Sequence, residues 1–259
     1  MNSTTQRQLN DLNLRFYSDR ADEFGSTRQH GWPGWKETLR AIDPQKYKEP
    51  FQVLDIACGN GRFAHFLDQS ELFEDLYYLG LDQSEELLSA AKKQCISFKS
   101  LTERNFRNVN VVGDDLQKEI SQSDFDLIVA FGFLHHVPGF QTRQRLISLL
   151  AHQLRPHGIL AFTTWQFDQS PRFKEKIIPW TDYNRLAAEP IDLEELEDGD
   201  YLMSFGEKTR TPRYCHASSP TETKALFEEL DLELLHQFKA DGKTNDLNEY
   251  YILKRSLTV

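Results

Sequence analysis

Two glycines and a set of aspartates have the types and spacing to hold a charged cofactor. The run Val53-Leu54-Asp55-Ile56-Ala57-Cys58-Gly59-Asn60-Gly61-Arg62-Phe63 reads as a buried strand, a Gly-x-Gly turn and a helix starting near Arg62. Open α/β sheets bind nucleotides at such a junction. Gly59 through Ala64 also satisfies the loose G-x-G-x-x-A pattern of dinucleotide sites. Asp55 separates the two readings. A pyrophosphate takes bare backbone N–H groups at a helix N-terminus and gains nothing from a carboxylate on its approach; a cofactor carrying an ammonium and a sulfonium is suited by one. Asp82 lies 23 residues beyond Gly59, where its two oxygens can accept from a pair of ribose hydroxyls. Its plain alternative is a cap for the helix entered through Ser84.

These residues need a sheet to carry them, and the flanking chain supplies one. Strands are predicted at Val53–Ile56, Tyr77–Leu81, Val109–Val112, Leu127–Phe131 and Ile159–Thr164. Between them Leu87, Leu88, Ala91 and Cys95 share one helical face, as do Leu146, Ile147, Leu150 and Leu154. Strands alternating with helices of this length predict a parallel sheet covered on both faces. Residues 1–48 are polar and read as helical, with a turn at Gly31-Trp32-Pro33-Gly34-Trp35. Residues 51–166 are the cofactor-binding core, and 168–217 read as an irregular substrate-side insertion. In 218–259, Ser219-Pro220-Thr221-Glu222 is a capping box that opens a helix through Leu230. A closing hairpin of Glu233–Phe238 and Glu249–Lys254 follows.

Composition sets the class of molecule. The 259 residues hold 30 Lys or Arg against 40 Asp or Glu, a formal charge of −10, with 39% hydrophobic residues including 18 Phe. Such a chain folds around a core rather than staying disordered. No apolar run approaches the ~20 residues that span a bilayer. Met1-Asn2-Ser3-Thr4-Thr5-Gln6 lacks the blocks of a signal peptide, so a cytoplasmic protein without a membrane partner is expected. Cys58, Cys95 and Cys215 stand apart with no CxxC pair, which argues against structural zinc and disulfides. No metal is expected. A charge of −10 also argues against broad capture of nucleic acid.

Taken in order, five segments resemble the motifs of class I S-adenosylmethionine-dependent methyltransferases. They are Asp55–Gly61, Leu79-Gly80-Leu81-Asp82-Gln83-Ser84, Gly113-Asp114-Asp115-Leu116, Phe125 to Val137, and Leu154-Arg155-Pro156-His157-Gly158. The resemblance implies a Rossmann-like fold: a seven-stranded, mostly parallel sheet with one antiparallel edge strand. It implies S-adenosyl-L-methionine as cofactor, held at Asp55, Ala57, Gly59, Asn60 and Gly61, by Asp82 at the ribose with Gln83 beside it, by Asp114, Asp115 and Leu116 at the adenine edge, and by Phe131 of the fourth motif. His135 and His136 end the fourth motif, and His135 is a candidate for a direct chemical role.

Both ends of the chain resemble one branch of that family, the methyltransferases that esterify carboxymethyluridine at the tRNA wobble position. Phe16-Tyr17-Ser18-Asp19-Arg20 through Arg28, then Trp32-Pro33, is similar to its N-terminal lead. Gly199-Asp200-Tyr201-Leu202-Met203 and Arg213-Tyr214-Cys215-His216 are similar to its C-terminal half. The resemblance implies a tRNA substrate, a small activator protein as partner, and cofactor contacts from Tyr17 and Arg28. A carboxylate acceptor is already ionised at neutral pH and needs no base, but it needs a cation with a planar fork. Arg213 is the candidate, with a surface salt bridge as its alternative. Two other readings stay open: the same chemistry on a small metabolite, and a non-catalytic cofactor-binding subunit.

Overall fold

In the computed structural model of the chain, residues 1–26, 30–47, 50–95, 98, 101–113, 115–120, 124–205 and 211–256 are described. The chain opens with two helices, α1 (Ser3–Ser26) and α2 (Pro33–Arg40). The core then alternates β1 (Phe51–Ile56), α3 (Arg62–Ser70), β2 (Leu76–Asp82), α4 (Glu85–Gln94), β3 (Leu101–Asn108), α5 (Asp115–Ile120), β4 (Phe125–Ala130), α6 (Phe140–His152) and β5 (Leu154–Trp165). After it come α7 (Pro171–Lys174), β6 (Ile177–Ile178), α8 (Trp180–Leu186), β7 (Asp200–Phe205) and β8 (Thr211–His216). The chain closes with α9 (Pro220–Ala225), β9 (Leu232–Ala240) and β10 (Asn248–Arg255).

The strand order of the large sheet is β3-β2-β1-β4-β5-β10-β9. Its first five strands run parallel. β10 is antiparallel to both β5 and β9, so the reversed strand lies one in from the edge that the hairpin closes. Val53, Leu54, Leu127, Ile128 and Val129 have no exposed surface, because helices cover both faces. Each such side chain contributes roughly 1.5–3 kcal/mol by burial. The order reverses between β1 and β4, which opens a crevice at their C-terminal ends.

Three expectations are corrected. The strand placed at Val109–Val112 is instead β3, at Leu101–Asn108, and the valines form the turn that follows it. β3 is an edge strand, and within it Phe106 is buried while Glu103, Arg104 and Arg107 are not. It therefore has no apolar signature, and the valines beside it do. The insertion of 168–217 is not irregular: β6, β7 and β8 form an antiparallel sheet of their own, with Ile177 opposite Met203 and Asp200 opposite His216. The helix expected through Leu230 stops at Ala225, although its cap is as expected, with Ser219 Oγ accepting from the Glu222 N–H at 3.1 Å.

α2 is seated directly on the large sheet. A Cβ on Gly34 would lie 2.3 Å from Cζ of Tyr250, whose hydroxyl donates to Asp241 at 2.5 Å and so cannot swing aside freely. Gly34→Ala is expected to cost about 1–3 kcal/mol and to lower the midpoint of thermal unfolding. An unchanged midpoint would show that α2 shifts without penalty.

Candidate active site

β1 ends in a strained turn. Ala57 takes φ = 58°, a left-handed conformation that costs a non-glycine residue energy and is found at functional sites. Gly59 and Gly61 follow at φ = 55° and 78°. Their roles differ. A Cβ on Gly59 would meet nothing within 4 Å, because it faces an open cavity, whereas one on Gly61 would lie 3.0 Å from Cβ of Ala91. Gly59 thus leaves room for a ligand, and Gly61 lets α3 and α4 approach each other.

The cavity has a volume of about 580 Å³, within the range of ligand sites. Asp55, Ala57, Gly59, Asn60, Asp82 and Gln83 line one half of it. Asp82 accepts from the Gly59 N–H at 2.8 Å and the Ser84 N–H at 2.9 Å, so it is tied to the helix start as its plain alternative has it. It orders the turn and the helix start, and its carboxylate still borders the cavity. Burial pushes its pKa up, against the pull of those N–H donors. Asp55 accepts from the Tyr78 hydroxyl. Burial raises its pKa to about 7, with the Tyr78 hydrogen bond opposing and the charge of Asp82 adding to the rise.

A second set of residues closes this half. Arg62 stacks over the rings of Trp32 and Trp35 at 5.4 and 5.5 Å and donates to the His30 carbonyl at 3.0 Å. Burial lowers its pKa to about 10. Trp32 in turn covers Gly132, where a Cβ would come within 2.8 Å of the indole. Arg62, Asn13, Val111 and Val112 line the cavity and were not singled out by the sequence. For the valines the signal was present but spent on a strand; for Arg62 it was the cation just after Gly61.

The other half of the cavity is aromatic and cationic. Arg213 is 6% exposed, and its guanidinium stacks 5.1 Å from the rings of both Phe16 and Trp165 and 5.7 Å from that of Phe205. Its Nε finds no hydrogen-bond partner. No carboxylate among the described residues pairs with it. Arg172 and Lys176 also line this half. The seven carboxylates between Glu189 and Asp200 do not.

Tyr17 and both histidines are brought together here. The Nδ1 of His136 lies 2.9 Å from the Tyr214 carbonyl and must carry the proton, which leaves Nε2 to accept from the Tyr17 hydroxyl at 2.7 Å. His135 lines the cavity with its ring 5.1 Å from that of Trp165. Phe131 lines it as well, whereas Leu116 turns into the core beside Val109 and Val111. Arg28 and Asp114 lie outside the described residues, and so does the side chain of Asp115.

The residues present fit S-adenosylmethionine: the carboxylates of Asp55 and Asp82 and an open glycine border the cavity at the turn, where a pyrophosphate would gain nothing from the acids. Fold and site together define the class as an S-adenosylmethionine-dependent methyltransferase. Residues 54–160 match the family described as "Methyltransferase domain", and over that segment the chain is a methyltransferase domain.

Among curated proteins the chain is similar to the mouse tRNA (carboxymethyluridine(34)-5-O)-methyltransferase ALKBH8, 28% identical over 153 residues, covering 59% of this chain and 20% of that one. It is also similar to the human probable tRNA methyltransferase 9B, 26% identical over 186 residues, covering 71% and 35%. The chain therefore spans between a fifth and about a third of the length of these relatives. A solved SAM-dependent methyltransferase from Methanosarcina mazei has the same fold, with a TM-score of 0.61 at 18% identity over 88% of this chain and all of that one. No helix among the described residues is long and apolar enough to cross a membrane.

Proposed function

We propose that the chain methylates a carboxyl group, and that this carboxyl belongs to a carboxymethylated wobble uridine of tRNA. One observation carries the reading: Arg213 is a buried guanidinium at the cavity wall with no carboxylate among the described residues to neutralise it. A desolvated cation left unpaired is costly, and an anionic acceptor offsets that cost. The planar fork suits a carboxylate bidentately. The relatives named above act on tRNA by their names, which supports the finer reading.

Charge divides the cavity as the reaction requires. S-adenosylmethionine, when bound, supplies an electrophilic methyl group. Asp55 draws its positive groups to one half, where Asp82 takes the ribose; Arg213 fixes the acceptor in the other, with Arg172 and Lys176 available for a second anionic group such as a phosphate. Trp32, Phe131 and Trp165 exclude water from between them, and positioning and desolvation then supply much of the acceleration. An ionised carboxylate needs no proton removed, so His135 serves as a wall and not as a base. A small activator protein is the proposed partner for the remainder of the tRNA contact, since the chain's charge of −10 works against a large RNA footprint.

The test is transfer of label from S-[methyl-³H]adenosylmethionine into total tRNA bearing carboxymethyluridine, with and without cell extract. Base-labile label in the wobble nucleoside is expected. Label in a small-molecule acid instead would move the acceptor to a metabolite, and no label in either would favour a non-catalytic subunit.

A further inference from the structure

β8 carries Arg213 on one face and Tyr214 and His216 on the other. Arg213 and Cys215 turn toward Trp165 and Met203. Tyr214 and His216 turn to a buried ionic cluster that does not line the cavity. In it Asp200 accepts from the Tyr214 hydroxyl at 2.6 Å and pairs with His216 Nδ1 at 2.7 Å. The opposite ring nitrogen, Nε2, lies 2.9 and 3.0 Å from the two oxygens of Glu222. Arg143 of α6 then ties Glu222 at 2.6 Å to Glu197 at 2.8 Å. The His216 side chain is 1% exposed and that of Asp200 is fully buried.

We infer that His216 is a positioning residue that locks β8 to α6 and α9 and thereby sets where the Arg213 guanidinium stands in the cavity. Three facts support this. His216 joins the elements that precede and follow β8, through Asp200 on β7 and Glu222 on α9, and both of its ring nitrogens are engaged. The backbone of Tyr214 on the same strand is held by Asn13 and His136, and the cluster adds a side-chain anchor to β8 beside Arg213. Arg143, itself with no exposed side-chain surface, supplies a second cation, so with His216 protonated two cations stand among the three carboxylates.

Protonation governs the lock. Among the described residues, the charged or titratable groups facing His216 belong to this cluster: Asp200, Tyr214, Glu222, Arg143 and, one step out, Glu197. Burial works to lower the pKa of His216, but the hydrogen bonds to Asp200 and Glu222 outweigh it and the net direction is up. The positive bridge is therefore complete below the ordinary histidine pKa and is lost as pH rises through the raised value in the folded chain.

The inference rests on Arg213 receiving the acceptor, so its test reads Arg213 directly. In the full chain labelled with ¹⁵N-arginine, the Arg213 Nε–H signal, assigned by its loss in Arg213→Lys, is expected at a ring-shifted position and to move with the titration of His216. His216→Gln is expected to shift that signal toward the position of a solvated arginine. The same change should raise KM for carboxymethyluridine tRNA about tenfold or more, leave affinity for S-adenosylhomocysteine within about twofold, and abolish the alkaline fall in kcat/KM. Glu222→Gln, which keeps the shape and loses the charge, repeats the test with the same signs.

An Arg213 signal in the wild-type protein that ignores the titration of His216 overturns the inference, with no variant needed. So does a His216→Gln protein whose cofactor affinity and KM worsen together, which is general loosening. If the Arg213 signal follows His216 but no methyl group reaches tRNA in the wild-type protein, the acceptor reading fails and the lock stands.

Discussion

Replacing Arg213 with methionine is expected to reduce kcat/KM for a carboxylate acceptor by about 30- to 5,000-fold while leaving the apo protein as stable as before or more so. The two halves of this result have one cause. The guanidinium is buried among Phe16, Trp165 and Phe205 and meets no carboxylate among the described residues. Removing one partner of a buried, hydrogen-bonded charge pair costs about 2–5 kcal/mol, which sets the expected loss of turnover. In the absence of acceptor the same group is a desolvated cation held, among the described residues, by ring faces, and an apolar side chain of similar length removes its desolvation cost. Arg213→Lys is not expected to rescue, since an ammonium neither stacks on the rings nor offers a planar fork. The check is steady-state kinetics beside thermal unfolding of the apo protein. A large loss of stability with the loss of activity would make Arg213 a structural residue and remove the main support for an anionic acceptor.

What was legible in the sequence follows a physical rule. Asp55, Gly59 and Asp82 could be read because backbone geometry and ligand charge constrain residue type at a turn between a buried strand and a helix. β1, β2, β4 and β5 could be read because burial on both faces leaves unbroken apolar runs. β3 could not, since an edge strand with Glu103, Arg104 and Arg107 looks like a loop until its backbone pairs with β2. The small sheet of β6, β7 and β8 escaped for another reason. Its stability comes from the pairing of Asp200 with His216, Tyr214 with Asn13 at 2.9 Å, and Glu222 with Arg143. No local periodicity encodes contacts between residues so far apart in the chain.

The same rule bears on the chain's charge. Read as a sum, −10 opposes an anionic substrate. Placed in the fold, two of the carboxylates between Glu189 and Asp200 enter the cluster around Arg143 and His216, another accepts from the backbone of Asn2 at 2.5 Å, and none of the seven borders the cavity. The acid that does border it, chiefly Asp55 and Asp82, stands on the cofactor half. Local placement therefore allows an anionic acceptor in a strongly acidic protein, although approach from a distance would still be slowed by the overall field.

Asp55 leads to the second large effect. Its carboxyl has a pKa raised to about 7, first by burial, so in the apo protein it holds a proton well above the ordinary carboxylate range. Between about pH 4 and 7 the folded state binds more protons than the unfolded one, and the stability of the apo protein should fall as pH rises through that window. A cationic cofactor reverses the preference, because only the ionised form attracts it. Affinity for S-adenosylhomocysteine, whose ammonium remains, is accordingly expected to strengthen as pH rises from 6 to 8. Asp55→Asn should abolish that dependence, weaken binding about 10- to 100-fold, as losing a hydrogen bond to a charged group would, and raise the apo unfolding midpoint at pH 8. The Asn side chain keeps the size of the acid, so a change in packing does not explain such a pattern. Titration calorimetry at three pH values, with thermal unfolding at each, separates the outcomes. Affinity that is flat with pH in the wild-type protein would show that Asp55 stays ionised throughout or lies too far from the cofactor to act on its charge.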